Sequence, residues 1–366
     1  MKIFYPLIYI IQSSRKISPK KAVFVEIRGQ DMSNNFTLLW DALVKRGYDC
    51  RLHCLGLSSL GFLEGNRRCV RFIRDIADAP AVFINDGSNI LSSLPLRSET
   101  RVVQTWHACG AFKRFGLATA EHGFGGSRRE QILFHSYKNC HIVTVSSPEV
   151  VWAYAESMGI PKERVLPTGV SRTDIFFDKD LIDAASHKVR GKMNIPSDKK
   201  ILLYAPTFRG ENSRNARPPE FFDPAEAANL LGSDYFIIIK HHPFIASPPA
   251  LPDNNMTGYV PDDVTIDEVL MAADLCVTDY SSLAFEYSLL RRPIFFLAPD
   301  IDDYIDERGF YYPFAEFAPG PIVSTTAELA RAILAGEFDL SPVDAFRGKF
   351  MSACDGGATE RIINLI

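Results

Sequence analysis

Short apolar runs alternate with helical stretches along this chain, and the alternation occurs twice. The first series of predicted strands is "AVFVEI", "CRLHCLGL", "APAVFIND", "RVVQTWH" and "CHIVTVSS". The second series is "KILLYAPTF", "DYFIIIKHH", "LCVTDY" and "PIFFLAP", again with helix-like segments between the strands. Such alternation is typical of βαβ units in a parallel sheet. It predicts an α/β protein with two Rossmann-like, doubly wound domains facing a cleft.

The two series also predict where the domains begin and end. A chain of 366 residues exceeds the ~100–200 residues of one ordinary domain, so two cores are expected. We predict an N-terminal segment at residues 1–20, a first domain at 21–180, a second domain at 195–345 and a C-terminal segment at 346–366. The polar, helix-prone stretch from Phe177 to Pro196 is predicted to be a linker, and "GATERIINLI" a packed helix.

Composition places the chain among globular proteins and argues against a general nucleic-acid binder. Hydrophobic residues make up 46% and charged residues 23% of the chain, and the net charge is -4, with no basic domain. The 7 cysteines are scattered without the spacing of a zinc site. We therefore expect a reducing, cytoplasmic environment.

The N-terminus combines an apolar run with a basic cluster. The run from Ile3 to Ile11 is shorter than the about 20 residues that a membrane-spanning helix needs. Basic residues follow it at Arg15, Lys16, Lys20 and Lys21. An apolar anchor beside basic residues suits an anionic membrane surface. Docking of this segment on its own domain is the alternative.

Polar and basic side chains occur where the predicted strands of the second domain end. The three exits provide Thr207 and Arg209, then Lys240, His241 and His242, and then Asp279, Ser281 and Ser282. Because ligands of doubly wound sheets sit beyond the carboxyl ends of the strands, these residues are expected to lie together. A serine pair that opens a helix suits a phosphate, although serine is also an ordinary helix cap. The basic residues at the neighbouring exits favour the phosphate site.

Two histidines are candidates for catalysis. The doublet His241-His242 is predicted to lie in a strand, where only one of two successive side chains can face the ligand, and we choose His242. In "VVQTWHACGAFKRFG", His107 ends a strand before a turn of small residues, and Lys113 and Arg114 follow. A packed core histidine is the alternative at position 107. The strand exit and the two cations favour a functional role.

These segments together resemble the CDP-glycerol glycerophosphotransferases of teichoic acid and related polymer synthesis. The matching segments run in family order from about Val102 to Val323: "TWHACGAFKRFG", "VSSPEVVWAYAESMGI", "VLPTGVSRTD", "LLYAPTFRG", "KHHP", "ADLCVTDYSSLAFEYSLLRRPIFFL" and "RGFYYPFAEFAPGPIV". The ending "DGGATERI" also fits, and the first hundred residues are similar through "VFVEIRGQDMSNNFTLLWDAL". So many separated motifs in one order make the resemblance specific.

The resemblance implies a glycosyltransferase-B type architecture, in which a helix within 346–366 crosses back to the first domain. It also implies a peripheral enzyme at the cytoplasmic face of the cell membrane. Such an enzyme would transfer a polyol phosphate, glycerol phosphate being expected first, from CDP-glycerol or CDP-ribitol. The acceptor would be an undecaprenyl-linked saccharide or polyol phosphate, and CMP would be released. No nucleic acid is expected as a partner.

The resemblance assigns roles to individual residues. His107 looks like the catalytic base, and His242 looks like a second catalytic histidine near the donor pyrophosphate. The implied donor-binding residues are Thr207, Arg209, Lys240, Asp279, Ser281, Ser282 and Glu286. Lys113 and Arg114 are expected on the acceptor side.

No cofactor is expected to be required for this chemistry. Cationic side chains and helix N-termini can neutralise the charge of a departing phosphate, and a transient role for Mg²⁺ stays open. The segment "PDIDDYIDE" could offer a metal ion three carboxylates, those of Asp300, Asp302 and Asp303. It follows a strand and has no histidine nearby, so a polar loop without a metal is the favoured interpretation.

Two other functions fit parts of the pattern. A glycosyltransferase-B type sugar transferase or a hydrolysing nucleotide-sugar epimerase would share the two-domain layout. A non-catalytic scaffold subunit of a polymer-assembly complex is an alternative of another class. Such a subunit would be expected to lack one of the two histidines, and both His107 and His242 are present.

Overall fold

The computed structural model describes residues 3–56, 60–120, 127–210, 214–245, 247–302, 304 and 309–366. The chain divides into two compact units. Unit 1 comprises Met1–Asp174 and Ser352–Ile366, and unit 2 comprises Ile175–Met351. The first unit therefore ends before the predicted boundary at residue 180, and the chain returns to it at Ser352 rather than at residue 346.

Each unit contains a parallel sheet, with six strands in the described part of the chain. The strands of unit 1 are β1 (Lys21–Glu26), β2 (Asp49–Cys54), β3 (Ala81–Ile84), β4 (Arg101–Gln104), β5 (Ile142–Thr144) and β6 (Val165–Leu166). Those of unit 2 are β7 (Lys200–Tyr204), β8 (Tyr235–Ile239), β9 (Thr257–Tyr259), β10 (Leu275–Thr278), β11 (Ile294–Leu297) and β12 (Ile322–Val323). All pairs between these strands are parallel, which confirms the predicted α/β class.

Helices connect the strands and cover the sheets. In the described ranges they are α1 (Phe4–Gln12), α2 (Asn34–Lys45), α3 (Phe62–Ile76), α4 (Asn89–Ser93), α5 (Arg128–Leu133), α6 (Val151–Met158), α7 (Lys179–Met193), α8 (Pro224–Leu231), α9 (Ile266–Ala272), α10 (Leu283–Ser288), α11 (Phe314–Phe317), α12 (Thr326–Leu334), α13 (Ser341–Phe350) and α14 (Ala358–Ile363). Strands β1 and β3 are buried along their whole length, as expected for a sheet covered on both faces.

The strand order of each sheet defines where a ligand can bind. Unit 1 has the order β2-β1-β3-β4-β5-β6, which changes direction between β1 and β3. Unit 2 has the order β12-β11-β10-β7-β8-β9, which changes direction between β7 and β10. Ligands of such sheets bind beyond the carboxyl ends of the strands at this change of direction. The segments after these strands, and after the adjacent β4, are therefore the ones that position a site.

The core of unit 1 joins the two ends of the chain. Phe24 of β1 stacks on Phe83 of β3 with ring centroids 4.7 Å apart, and Phe36 of α2 packs edge-on against Phe24. Ile362 and Ile363 of α14 belong to the same buried cluster. Because full burial of such a side chain contributes about 1.5–3 kcal/mol, the C-terminal tail is an integral part of this core.

The stretch that the sequence predicted to be a linker is helix α7 of unit 2. The Asp178 side chain caps its first turn, and Ala185 and Val189 are buried. Lys188 pairs with Glu268, next to the start of α9, at 2.8 Å. The helix-prone character of the stretch is confirmed, and its interpretation as a linker is wrong because α7 is part of unit 2 and buries a narrow apolar face there.

The four strands predicted for unit 2 all end earlier than the sequence predicted, and two of these ends matter for the site. Strand β8 ends at Ile239, so Lys240, His241 and His242 follow the strand. Side chains alternate between the two faces of a sheet only within a strand, so this alternation does not decide between His241 and His242. Strand β10 ends at Thr278, which places Asp279 first beyond its carboxyl end.

Helix α1 docks on unit 1 and exposes an apolar face. The Tyr5 hydroxyl donates to Asn66 Oδ1 of α3 at 2.7 Å, and the Tyr9 hydroxyl accepts from the Arg97 N–H at 3.1 Å. Both tyrosines are buried, whereas Leu7 is 54% and Ile11 67% exposed. None of the described helices is both long and apolar enough to cross a membrane.

Candidate active site

His107 follows β4 in a turn with a strained backbone. Trp106 has a φ of 57°, in the left-handed region that bulky residues rarely adopt, at a cost of about 1–3 kcal/mol. Its N–H donates to Gln104 Oε1 at 2.9 Å, and the Gln104 amide donates to the Asp86 carbonyl at 3.0 Å. The Trp106 ring stacks on His107 with centroids 4.1 Å apart. This turn presents an exposed His107 side chain, unlike a packed core histidine.

One ring nitrogen of His107 forms a hydrogen bond with the backbone. Nδ1 lies 3.1 Å from the carbonyl oxygen of Asn85, which follows β3. Because a carbonyl oxygen can only accept, Nδ1 carries the proton of the neutral ring and Nε2 holds the lone pair. The site of proton uptake on His107 is therefore Nε2.

The surroundings of His107 favour its neutral form. Although the ring reaches solvent, the protein around it partly desolvates the imidazolium, and this lowers the pKa of His107 below its ordinary value of 6.5. The Asp86 carboxylate and the Asn85 carbonyl oppose the shift, whereas Arg28 and Arg172 add to it. At neutral pH the ring is consequently in the form that accepts a proton.

The backbone of the small-residue turn after His107 is held by side chains that follow β5. Gly110, with a φ of 63°, donates its N–H to Ser146 Oγ at 3.0 Å. The Tyr154 hydroxyl donates to the carbonyls of Ala108 and Gly110, at 3.2 and 3.0 Å. This bonding leaves the backbone of the turn little freedom.

The two cations after this turn differ in exposure. Lys113 is half-buried and Arg114 is exposed. Both belong to unit 1, as His107 does. Their predicted acceptor-side role stays a prediction.

Asp279 organises the strand exits of unit 2. Its carboxylate accepts from the Thr207 N–H at 2.8 Å, from the Thr207 hydroxyl at 3.0 Å and from Arg209 Nη1 at 2.9 Å. The Tyr280 N–H donates to it at 2.6 Å. The exits of β7 and β10 are thus joined where the sheet changes direction.

Arg209 is the centre of a buried ion network. Its Nε and Nη2 donate to Asp300 at 2.6 and 3.1 Å, in addition to the bond from Nη1 to Asp279. The Tyr280 hydroxyl donates to Asp300 at 2.8 Å. Burial disfavours the guanidinium charge, but the two carboxylates outweigh it and raise the pKa of Arg209. The network ties Arg209 into the protein with all three of its nitrogens.

This network also accounts for one of the acidic residues considered as metal ligands. Asp300 is bonded to Arg209 and Tyr280, and Asp303 lies outside the described residues. Among the described residues no group of three or more acidic, histidine or cysteine side chains could hold a metal ion.

The histidines after β8 have different surroundings. His242 Nδ1 accepts from the Phe244 N–H at 3.2 Å, and its ring packs against Phe208 and Phe244. His241 lies beside Tyr259, and burial lowers the pKa of His241. Lys240 is half-buried, and its N–H still donates to the Tyr204 carbonyl of β7. Because His242 Nδ1 accepts from the Phe244 N–H, the proton of neutral His242 is on Nε2, whereas the proton of neutral His107 is on Nδ1.

The serine pair lies between β10 and α10. Ser281 and Ser282 are half-buried, and α10 begins at Leu283. Ser281 Oγ accepts from the Leu283 N–H at a long 3.4 Å, and the Ser282 side chain makes no capping bond. Glu286, one turn into α10, is buried. The capping alternative therefore has weak support in this geometry.

Sequence reasoning missed the residues that surround His107. Asn85 and Asp86 follow β3, and Glu26 is the last residue of β1. Both strand ends lie next to the change of direction in the sheet. The signal was present in "FIND", where a polar pair follows an apolar strand. The left-handed Trp106 had no such signal, since tryptophan is not a residue that predicts this conformation.

The two parallel-sheet units define the class of fold. Two α/β units of this kind, with polar strand exits, are typical of the glycosyltransferase-B type architecture. The solved structure of the wall teichoic acid polymerase TagF has the same fold, with a TM-score of 0.82 and 23% identity over 100% of this chain and 92% of that one. The predicted glycosyltransferase-B type fold is thereby confirmed.

The sequence comparisons assign the family. The family model "CDP-Glycerol:Poly(glycerophosphate) glycerophosphotransferase" matches residues 7–366, and the chain belongs to this family of transferases. It is 31% identical to the teichoic acid ribitol-phosphate primase of Bacillus spizizenii, over 94% of this chain and 90% of that protein. It is 32% identical to the teichoic acid poly(ribitol-phosphate) polymerase of the same organism over 96% of this chain, and it spans 56% of that protein's length. The resemblance predicted from the motifs is confirmed.

Proposed function

We propose that this chain transfers a polyol phosphate from a CDP-activated donor to a lipid-linked saccharide or polyol-phosphate acceptor and releases CMP. Membership of the family supports the reaction class. The observation that carries the proposal is that the Nδ1 atoms of two histidines have opposite hydrogen-bonding roles. Nδ1 of His107 donates to a carbonyl, and Nδ1 of His242 accepts from an N–H. One ring is thus prepared to take a proton and the other to donate a hydrogen bond.

In this proposal, His107 is the general base. The acceptor hydroxyl gives its proton to Nε2 while its oxygen attacks the phosphorus that carries the polyol. The bond from that phosphorus to the bridging oxygen of the diphosphate breaks, and CMP leaves with the electron pair. A histidine whose pKa lies below 6.5 is neutral at physiological pH and can accept this proton.

Unit 2 is proposed to bind the donor. His242 donates from Nε2–H, and Lys240 and the serine pair add a charge and two hydroxyl donors for the phosphates. Thr207, Asp279 and Arg209 hold the exits of β7 and β10 together through their mutual bonds. We therefore assign these three residues to positioning the donor-binding segments. Glu286 is buried at the same end of unit 2 and is placed with them.

The donor polyol is tested by direct comparison. Glycerol phosphate is the group that the motifs suggested first, whereas the two relatives described above are named for ribitol phosphate. Purified protein would be incubated with CDP-glycerol or CDP-ribitol and a synthetic lipid-linked primer, with CMP release and product mass as readouts. Mass addition of one polyol phosphate or of a series supports the proposal. Release of UDP from a UDP-sugar, with no CMP, would instead support the sugar transferase or epimerase alternative.

We also propose that unit 1 contacts an anionic membrane surface. The exposed face of α1 lies beside Phe62 and Leu63 at the start of α3, each 83% exposed. Between the two helices is a cavity of about 800 Å³ whose other lining residues include Arg67, Arg71 and Arg74. Apolar side chains flanked by arginines match the interface between headgroups and acyl chains.

The basic cluster predicted from the sequence contributes less to this surface than expected. Lys21 is buried and pairs with Asp75 at 3.1 Å and Asp78 at 2.8 Å. Arg15 lies 3.6 Å from the same Asp78 carboxylate. The arginines of α3 are therefore proposed to supply most of the positive charge.

A further inference from the structure

A buried carboxylate lies at the end of β1, close to His107. Glu26 is 5% exposed. Its Oε1 accepts from Asn85 Nδ2 at 2.8 Å, and its Oε2 accepts from the Ser33 N–H at 3.3 Å. Burying a carboxylate is costly unless hydrogen bonds compensate it, and here the compensation comes from these two neighbours.

Asn85 connects this carboxylate to His107. It is 4% exposed, and its side-chain amide also donates to Ser33 Oγ at 3.2 Å. With the side chain held at both of these acceptors, the direction of the Asn85 backbone carbonyl is restricted. That carbonyl is the group that accepts from His107 Nδ1.

We propose that Glu26 and Asn85 are positioning residues that hold the His107 ring in the tautomer with its lone pair on Nε2. Neither residue touches the reacting groups, and both act through the Asn85 carbonyl. The inference rests on the proposed role of His107 as the base. A partner behind a catalytic histidine fixes its tautomer and orientation, and at metal-binding histidines the loss of such a partner typically costs about 10–100-fold in affinity or activity.

A purely structural role for Glu26 is the competing explanation. Its bond to the Ser33 N–H lies at the start of α2, so the carboxylate could simply satisfy that helix end. Such a role predicts a loss of stability and an unchanged His107. The tautomer and the pH profile therefore separate the two explanations.

The test exchanges the donor and the acceptor of the Glu26–Asn85 bond in the full-length protein. In Glu26→Gln the side-chain NH₂ replaces one of the two acceptor oxygens and faces the N–H donor of Asn85 or Ser33, and Asn85→Asp places two carboxylates face to face. Each single variant is expected to lower kcat by about 10-fold or more, with donor KM nearly unchanged. In the double variant the new amide donates to the new carboxylate, and most of the lost kcat is expected to return.

The tautomer is read by ¹⁵N chemical shifts of the imidazole nitrogens, assigned with His107→Gln. The wild type is expected to show protonated Nδ1, and Glu26→Gln a mixture of tautomers. The charged groups that act on the His107 ring are Asp86, Arg28 and Arg172. The double variant moves the carboxylate of this pair from position 26 to position 85 without adding charge, so the acid limb of its pH–rate profile is expected to return to near its wild-type position.

Asn139→Ala is the matched control in unit 1. Its side-chain amide donates to the carbonyls of Leu91 and Leu94 at 2.9 and 2.8 Å, away from His107. This variant should lower the melting temperature and leave the tautomer and the pH profile unchanged. The inference is overturned if Glu26→Gln behaves like Asn139→Ala, or if it matches the wild type in kcat and tautomer. A wild type that releases no CMP from either donor would refute the proposed function instead, and the ¹⁵N shifts would still decide the tautomer question.

Discussion

Two histidines of this chain hold their protons on opposite nitrogens. The Asn85 carbonyl can only accept, so it keeps a proton on Nδ1 of His107. The Phe244 N–H can only donate, so it keeps the proton of neutral His242 on Nε2. Because the same residue type faces different backbone groups, the two rings are held in different tautomers and acquire different chemistry.

The pH dependence of turnover follows from the surroundings of His107. Its pKa is lowered by desolvation, so the neutral base is present at pH 7 and is lost only as the pH falls below 6.5. We expect kcat/KM to be flat near neutrality and to decline on the acid side below pH 6.5. The measurement is a pH–rate profile with a saturating lipid-linked primer, and an acid limb centred above pH 7 would contradict the assigned environment.

Arg209 is expected to matter for stability more than for direct donor contact. Arg209→Ala would leave the buried Asp279 carboxylate and the half-buried Asp300 carboxylate without their cation, at a cost of about 3–5 kcal/mol in the free energy of unfolding. Urea denaturation measures this cost. Arg291→Ala is the control, since its pair with Asp344 is exposed, is screened by solvent and should contribute little to stability. Wild-type stability with weakened donor binding would instead place Arg209 on the donor phosphates.

At the scale of elements, the segment between β10 and α10 is expected to bind rather than to cap. The serine side chains contribute one long bond to the helix start, so replacing both with alanine should leave the fold intact. The variant with Ser281→Ala and Ser282→Ala should bind a CDP donor more weakly by about 1–3 kcal/mol, as measured by calorimetry.

Helix α9 supplies the control for the serine variant. Thr265 and Glu268 form a capping box at its N-terminus. Thr265→Ala should therefore cost about 1 kcal/mol of stability and leave donor affinity unchanged. Donor affinity at the wild-type level in the serine variant would remove the pair from the donor site.

Helix α1 is expected to contribute to membrane binding through its exposed face alone. Deleting the helix would also unpack Tyr5 and Tyr9, so substitutions at exposed positions are the cleaner test. Leu7→Glu with Ile11→Glu should reduce sedimentation with anionic liposomes and leave the melting temperature nearly unchanged. Leu334→Glu, at a 55% exposed position in unit 2, is the control. Equal liposome binding by all three proteins would contradict the proposed surface.

At the scale of the whole molecule, apolar periodicity was enough to predict two parallel α/β units, and motif order was enough to predict the family. The positions of His107, Thr207 and Asp279 at strand exits followed from the same pattern. The stretch that forms α7 was predicted to be helix-prone, but its polar face led to its interpretation as a linker, because only a narrow face of the helix is buried. Glu26 escaped notice because its partner Asn85 is distant in the sequence, and hydrogen bonds between distant strands leave no local pattern.

The central claim is that this chain moves a polyol phosphate from a CDP donor with His107 as the base. The direct measurement compares CMP release by the wild type and by His107→Ala, with melting temperature and donor affinity determined on the same preparations. We expect a folded variant with nearly unchanged donor affinity whose turnover is lower by about 10²–10⁴-fold, the usual effect of losing a general base. A folded His107→Ala protein that releases CMP at a near-native rate would contradict the claim.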